Sequence, residues 1–368
     1  MGFLPARSAL VAAVAAFFAA ALPVSAGLET LRVANYNVEN LFDAEVNSQV
    51  NPMTGQPGDA EWSADTWRRW TPARYRTKLA KLAWVVDRMK PDILVVEEVE
   101  NAAVCRDLAD EISRAYHWEI PYLAHRESRD PRGIDVAILS RYPVKSVTYR
   151  SKVGRRGLLA ADIDVDGTVV TVFASHWKSQ IGDAKENVRV RTEEAALLRK
   201  EMLARLARDP DAVVLALGDY NEDMDGPAIT AGLAPANDRE TALDSLLSAP
   251  DGLRPYNLVG DIPESGRGSF FYARHKAWHT FDGIIVQPRM LLPASEPGPA
   301  WRVGKPSETV TFALPEMRWG ADGRPNAFRR MRKYEEGSGG DKVSDEGAYT
   351  DGYSDHFPVL TVLHRARD

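Results

Sequence analysis

Residues 91–101 read PDILVVEEVEN, a short apolar run from Ile93 to Val96 that ends in carboxylates. Such a run suits a buried strand. Pro91 in front of it closes the helix predicted from the recurrence of Leu79, Leu82, Ala83, Val86 and Met89. The same device, an apolar segment that hands a polar side chain to a rim, recurs along the chain. It appears as NYNVENLFD at 35–43, TVFASHWKS at 171–179, LALGDYNED at 215–223, HTFDGIIV at 279–286 and GYSDHFPV at 352–359. A single Asp or Asn after a strand is ordinarily a turn former. Six such segments in one chain point instead to a shared site at the downstream ends of the strands.

Working outward, Leu31 to Asn35 begins as a strand and Glu45 to Asp65, polar and bearing Gly and Pro, reads as a loop. Ile134 to Leu139 is a further apolar run. Leu158 to Val165 and Thr168 to Ser175 flank Asp166-Gly167, the pair that most strongly signals a hairpin. An amphipathic helix with Ala195, Leu198, Met202, Leu203 and Leu206 on one face ends at Pro210, and Ala212 to Leu217 follows as a buried strand. Later strands are predicted at Ser269 to Tyr272, Phe281 to Val286 and Phe357 to Leu363. Gln287 to Tyr353, rich in Pro and Gly, reads as long surface connections. With no internal repeat and no linker, the pattern argues for sheets packed face to face under a helical cover, in one domain over 27–368.

Of 368 residues, 44% are hydrophobic; 46 Lys and Arg stand against 52 Asp and Glu, for a net charge of −6, and Cys105 is the single cysteine. This composition excludes a disordered, collagen-like or disulfide-stapled chain. Cys105 lies in the helical pattern AAVCRDLADEI and reads as a buried, inert thiol. Residues 1–26 read as a signal peptide, with an apolar run from Leu10 to Leu22 and a Val24-Ser25-Ala26 cleavage site. The run is shorter than the roughly 20 residues of a spanning helix. A secreted or periplasmic protein with no stable membrane insertion after cleavage is expected.

Pooled, the rim segments supply oxygen ligands at Asn37, Glu39, Glu98, Asp219, Asn221, Asp282 and Asp355, with imidazoles at His176 and His356. Hard oxygen donors without thiolates favour Mg2+, Mn2+ or Ca2+ over zinc. Residues 219–230 are not a calcium loop, because Met224 and Thr230 stand where that loop needs Gly and Glu. H-E-x-x-H, G-x-S-x-G and Walker motifs are absent, which removes the usual routes to zinc proteases, serine hydrolases and P-loop enzymes.

The ordered set N-x-E (37–39), PDIL-x-x-x-E (91–98), GD-x-N (218–221), FDGIIV (281–286) and SDH-x-P (354–358) resembles the endonuclease/exonuclease/phosphatase superfamily, from about Leu31 to Leu363. The resemblance implies an α/β, DNase I-like four-layer sandwich: two mixed β-sheets face to face with helices outside. It also implies a Mg2+-dependent phosphoric ester hydrolase, with Mn2+ or Ca2+ as alternatives. Asn37, Glu39, Glu98 and Asp355 take the metal-side positions, with Glu98 the principal ligand. His176, Asp219, Asn221, Asp282 and His356 take the catalytic ones, Asp282 being the partner of His356. Two departures stand out: Glu39 replaces the Asp of apurinic endonucleases, and Glu97 replaces a common Gln. Successive strand residues face opposite ways, so Glu97 is expected to be hydrogen-bonded behind the site.

The chemistry implied is one-step attack of water on a phosphate ester without a covalent enzyme intermediate. A cation and donors from His176 and Asn221 would stabilise charge in the transition state. His356, with an ordinary pKa of roughly 6.5, suits the base. Basic residues alternate with aromatics at Thr66 to Val86 (Arg68, Arg69, Arg74, Arg76, Lys78, Lys81; Trp67, Trp70, Tyr75), and further basic clusters lie at 150–156 and 324–334. Such patches suit nucleic acid. Lys178, Arg132 and Asp135 are the expected substrate contacts. The leading reading is an exported nuclease. The alternatives are an exported phosphatase or phospholipase-type phosphodiesterase acting on lipid head groups or inositol phosphates, and a secreted binding module that has lost catalysis. No obligate protein partner is evident.

Overall fold

The structure is a computed structural model that describes residues 29–48, 50, 55–248, 252–328 and 352–365. The expected leader and most of the 324–334 basic cluster lie outside the described residues.

In chain order the strands are β1 (Glu29–Leu41), β2 (Ile93–Val99), β3 (Tyr122–His125), β4 (Asp135–Ser140), β5 (Val144–Arg150) and β6 (Leu158–Val165). Next come β7 (Thr168–His176), β8 (Val213–Asp219), β9 (Tyr256–Asn257), β10 (Phe270–Tyr272), β11 (Ala277–His279) and β12 (Asp282–Val286). The last are β13 (Arg302–Val303), β14 (Val310–Thr311), β15 (Arg318–Trp319), β16 (Arg324–Pro325) and β17 (Val359–Arg365). Three long helices, α1 (Pro72–Met89), α2 (Ala102–Tyr116) and α3 (Ala184–Leu206), accompany them. One sheet runs β13-β17-β1-β2-β4-β3, with β14 also on β17, and the other runs β5-β6-β7-β8-β12-β9.

Period-two alternation explains the layers. Leu31, Val33, Ile93 and Val95 of the first sheet face Val170, Val172, Leu215, Leu217 and Ile284 of the second, forming the inter-sheet core. The alternate residues Ala34, Tyr36, Leu94 and Val96 pack instead on Leu82, Val86, Leu108 and Ile112 of α1 and α2. On the far side, Ala160, Phe173, Val214 and Ala216 meet Ala195, Leu198 and Met202 of α3. Four layers result: helices, sheet, sheet, helix. This is the α/β DNase I-like sandwich expected from the motifs.

Each long helix starts where its cap predicts. Thr71 accepts from the Arg74 N–H with Pro72 at the first helical position, Asn101 accepts from Ala103 and Val104, and Asp183 accepts from Glu186. The Asp166-Gly167 hairpin forms as expected, with φ of +49° and +83°. At Gly218 a Cβ would sit 2.1 Å from the Ser175 carbonyl oxygen, so only glycine lets β7 and β8 close up here.

Two expectations need correction. The stretch after Gln287 is not only surface connection: β13 and β14 extend the first sheet beside β17, and Trp301, Met317 and Phe328 are buried. The basic and aromatic residues of 66–86 do not form one open face. Trp70, Tyr75 and Lys78 are buried, and Arg68 pairs with Glu61 over the Trp62 and Trp67 rings. The apolar face of α1 carries Tyr75 and Lys78 inward with it. Cys105 is buried, which pushes its thiol pKa up and leaves it inert.

Candidate active site

At one rim the two rows of side chains that form the inter-sheet core turn polar. On the first sheet Leu31 and Val33 are followed on the same face by Asn35 and Asn37, and Ile93 and Val95 by Glu97. On the second, β7 pairs with β8 so that His176 lies opposite Asp219, and Asp219 lies opposite Asp282 of β12. Two cross-sheet hydrogen bonds join the rows: Asn37 Nδ2 donates to Asp219 Oδ2 at 2.9 Å, and Asn35 Nδ2 donates to Asp282 Oδ1 at 3.1 Å.

The expected placement at downstream strand ends holds for Asn37, Glu98, His176 and Asp219 but not for Asp282 and His356. Asp282 opens β12, and His356 precedes β17. Both strands run antiparallel to their neighbours β8 and β1. Reversed direction therefore brings their upstream ends to the same rim.

His356 is the best positioned group. Its Nδ1 lies 2.6 Å from Asp282 Oδ2 and its Nε2 lies 3.8 Å from Asp219 Oδ2. Ser354 Oγ accepts the His356 backbone N–H and donates to the Asn37 carbonyl, while Phe270 packs on the ring at 4.8 Å. Burial acts to lower the His356 pKa, but the Asp282 and Asp219 carboxylates outweigh it and hold the imidazole well above its ordinary value. The ordinary value of about 6.5 read from the sequence is corrected here, because a carboxylate stands against Nδ1.

Asp219 accepts from Asn37 and from the Asn221 N–H at 2.9 Å, and lies 3.4 Å from His176 Nε2. Burial, partly opposed by His356 and reinforced by Asp282, raises its carboxyl to about 7. His176 moves the other way: burial, then Arg156 and Arg132, hold it well below the usual imidazole range. The His176 to Asp219 approach is therefore a neutral imidazole on a carboxyl, not an ion pair. Asn221, at φ +48°, donates its Nδ2 to the Trp177 carbonyl.

Glu97 keeps the alternation of β2, whereas Glu98 departs from it. Glu97 lies between the sheets, fully buried, and neither carboxylate oxygen has a hydrogen-bond partner. Burial, then the Asp282 and Asp219 charges, raises its pKa well above the carboxylate range. The expectation that it sits hydrogen-bonded behind the site is overturned: the strand pleat aims it into the site. Glu98 takes φ +62° in a bulge, since Glu97 pairs with Val136 while Val99 pairs with Asp135. In β1, Glu39 and Asn40 take φ of +52° and +58° at a matching irregularity. Paired bulges in adjacent strands re-aim Glu39 and Glu98 where regular pleats would not.

The remaining predicted residues divide. Glu39 Oε2 accepts the Phe328 N–H at 2.8 Å, so this carboxylate is held by the backbone of a distant loop. Asp355 lies next to His356, and its charge acts on that ring. Lys178 is corrected: its Nζ donates to the carbonyls of Ser179 and Ile181 at 2.9 and 2.7 Å, tying down its own loop. Asp135 is corrected too, since it is buried and committed to His125 Nε2 and the Ser128 N–H, both at 2.8 Å. Arg132 pairs with Asp130 at 3.2 Å while its charge still acts on Glu98 and His176. Sequence reasoning missed Asn35 and Arg156. The first was legible by alternation from Leu31 and Val33. Arg156 lies buried beneath the site, donating to the Trp177 carbonyl at 3.0 Å and pairing with Asp130 at 3.1 Å, which only the fold reveals.

No curated protein matches this chain. Among solved structures, the Bacteroides thetaiotaomicron VPI-5482 mannosyl-6-phosphatase Bt3783 is similar at 15% identity and a TM-score of 0.50, covering 90% of this chain and 99% of that one. Truncated Caenorhabditis elegans TDP2 is similar at 13% identity and a TM-score of 0.50, covering 92% and 98%. At these identities the likeness is one of fold. The Endonuclease/Exonuclease/phosphatase family matches residues 32–365. With that match running from β1 to the end of β17, the chain belongs to the endonuclease/exonuclease/phosphatase family, whose members are divalent-metal-dependent phosphoric ester hydrolases.

Proposed function

We propose that this protein is an exported nuclease that hydrolyses phosphodiesters with the His356 and Asp219 pair as its proton-accepting centre. The observation that carries the reading is the line Asn35, Asp282, His356, Asp219: Asn35 holds Asp282, Asp282 holds His356, and the last two face each other across 3.8 Å. The residues present fit a divalent cation. Glu98 makes no hydrogen bond or ion pair among the described residues, and the orphaned oxygens of Glu97 lie beside Asp219 and Asp282. Glu98, with Asn37 and Asp355, would hold Mg2+, and the bound cation would supply charge stabilisation for the phosphoryl oxygens.

The chain's own residues do the rest. Asp282 fixes the His356 ring so that Nε2 faces the place where water must lie, between it and Asp219. An imidazolium kept by Asp282 and a carboxyl near 7 form a coupled pair. The form in which the pair has shed a proton accepts one from water. His176, whose Nε2 lies 3.4 Å from Asp219, and Asn221 would serve as donors toward phosphoryl oxygens.

The substrate surface of this reading moves away from 66–86 to the β10–β11 hairpin. Phe270 touches His356, Tyr272 and Trp278 are 40% and 38% exposed, and Arg324 lies over the Phe271 ring. Aromatic faces with an adjacent guanidinium suit stacked bases. The same exposed rings favour a second reading, a phosphodiesterase working on lipid head groups.

Purified mature protein assayed on plasmid DNA, RNA, sphingomyelin and inositol phosphates should cleave a nucleic acid with Mg2+ and lose that activity in chelator. Cleavage of the lipid alone would replace the first reading with the second. Export rests on residues 1–26, and the mass of the secreted chain should correspond to cleavage after Ala26.

A further inference from the structure

The β10–β11 hairpin carries a histidine that the chemistry above leaves unused. His279 Nδ1 lies 2.8 Å from Asp223 Oδ2, so the ring N–H donates to that carboxylate. Asp223 belongs to the loop after β8 that also holds Asn221. It is fixed in turn, because its Oδ1 accepts the Thr280 N–H at 2.7 Å and the Thr280 hydroxyl at 3.2 Å. The other ring nitrogen of His279, Nε2, makes no hydrogen bond among the described residues, and 23% of the side chain is open to solvent.

Register turns this ring toward the site. Phe270 pairs with His279 on one side and, through an isolated bridge, with His356 on the other. Residues directly opposite in antiparallel pairs project from the same face. His279 therefore faces the same way as His356, two strand spacings or about 10 Å away. Rings fill the interval: Phe270 lies 4.8 Å from His356, and Phe281 stacks on Phe270 at 5.3 Å and on His279 at 4.7 Å. The exposed tip of the hairpin carries Arg274, His275 and Lys276, and the stretch from Phe270 to His279 contains no acidic residue.

An imidazole clamped at Nδ1 by a carboxylate and open at Nε2 is set to donate to an anion. With its Nδ1–H given to Asp223, Nε2 donates as the imidazolium, the form that negative charge on both sides favours. We propose that His279 is a substrate-binding residue, held by Asp223 as a subsite for a second phosphate, the neighbour of the scissile phosphate at His356. The nucleoside between the two phosphates would lie across Phe270, and the subsite would set the register of the strand against the catalytic pair. This inference rests on the nuclease reading of the same site. Consecutive phosphates on one chain are what a polynucleotide offers and a sphingomyelin head group, with a single phosphate, lacks.

The test compares thymidine 3′,5′-bisphosphate with the 3′- and 5′-monophosphates by calorimetry on the mature chain in Mg2+. The bisphosphate should bind about tenfold tighter than the better monophosphate, the worth of one charge-assisted hydrogen bond. His279→Phe keeps a ring on Phe281 but has no donor, and should bring that ratio down to about two or less. If the phenylalanine variant does not fold, His279→Leu takes its place with the same expectation. A ratio near one in the wild type, or a ratio retained in the variant, would overturn the subsite. Cleavage of plasmid DNA and RNA by the same preparations keeps the two readings apart. Cleavage accompanied by a ratio indifferent to His279 strikes the subsite alone, and a ratio that depends on His279 without cleavage of either nucleic acid strikes the nuclease reading alone.

Discussion

Replacing His356 with alanine should lower kcat on the productive phosphate ester by about 10²- to 10⁴-fold, the usual worth of a positioned acid or base. The geometry predicts more than a loss of rate. The Asp282 carboxylate would be left buried with only the Asn35 amide to satisfy it, and removing one partner of a buried pair is costly. Stability should therefore fall as well, with a definite pH dependence. The folded-state pKa of His356 lies above its unfolded value. Its stabilising contribution is then fully present below about pH 6.5 and is lost as pH rises through the raised folded value. Melting curves of the variant and the wild type should differ most at pH 6 and converge in alkaline buffer. Equal kcat in the two proteins would remove His356 from the chemistry.

Asp219→Asn should be as damaging to kcat, by about 10²- to 10⁴-fold, yet should act on stability in the opposite direction. Asp219 titrates at about 7 in the folded protein because burial disfavours its charge. A carboxyl raised on folding binds a proton more tightly in the native state, so stability declines as pH climbs from about 4 to 7 and is level above that. An amide removes that charge penalty, and its single carbonyl oxygen keeps one of the two bonds that Asp219 accepts from Asn37 and the Asn221 N–H on separate oxygens. The variant should melt above the wild type at pH 8, a trade of stability against activity common at active sites. In the wild type, kcat/KM should rise with pH through an inflection near 7 as the His356 and Asp219 pair sheds a proton. A profile flat from pH 5.5 to 8.5 would contradict the assignment.

The two variants separate roles that the sequence leaves joined. Asp282, Asp219 and His356 sit in short polar motifs with nothing in their local spacing to rank them. Their ranking comes from burial and neighbours: a carboxylate against Nδ1 of His356, a second carboxyl beyond its Nε2, and an arginine pair near His176. Part of the site was nonetheless legible. Asn37, His176, Asp219 and Asp282 are the polar continuations of alternating apolar rows, and the same alternation exposes Asn35 once Leu31 and Val33 are seen to face inward. Glu97 continues the row of Ile93 and Val95 in the same way, while Glu98 escaped that logic, because a bulge in one strand can be read only against its partner β4.

Lys178 and Asp135 show the limit from the other side. Their residue types suited a phosphate cleft, but the local loop took the ammonium and His125 took the carboxylate. Hydrophobic period and turn chemistry are properties of neighbouring residues, and they determined the strands, the helix caps, the hairpin at Asp166-Gly167 and the apolar layers of this protein. Which polar groups meet is a property of strand direction and register between segments hundreds of residues apart. Only the packed sheets decided that Asp282 and His356 reach the rim from upstream, and that Lys78 of the basic cluster on α1 belongs to the core.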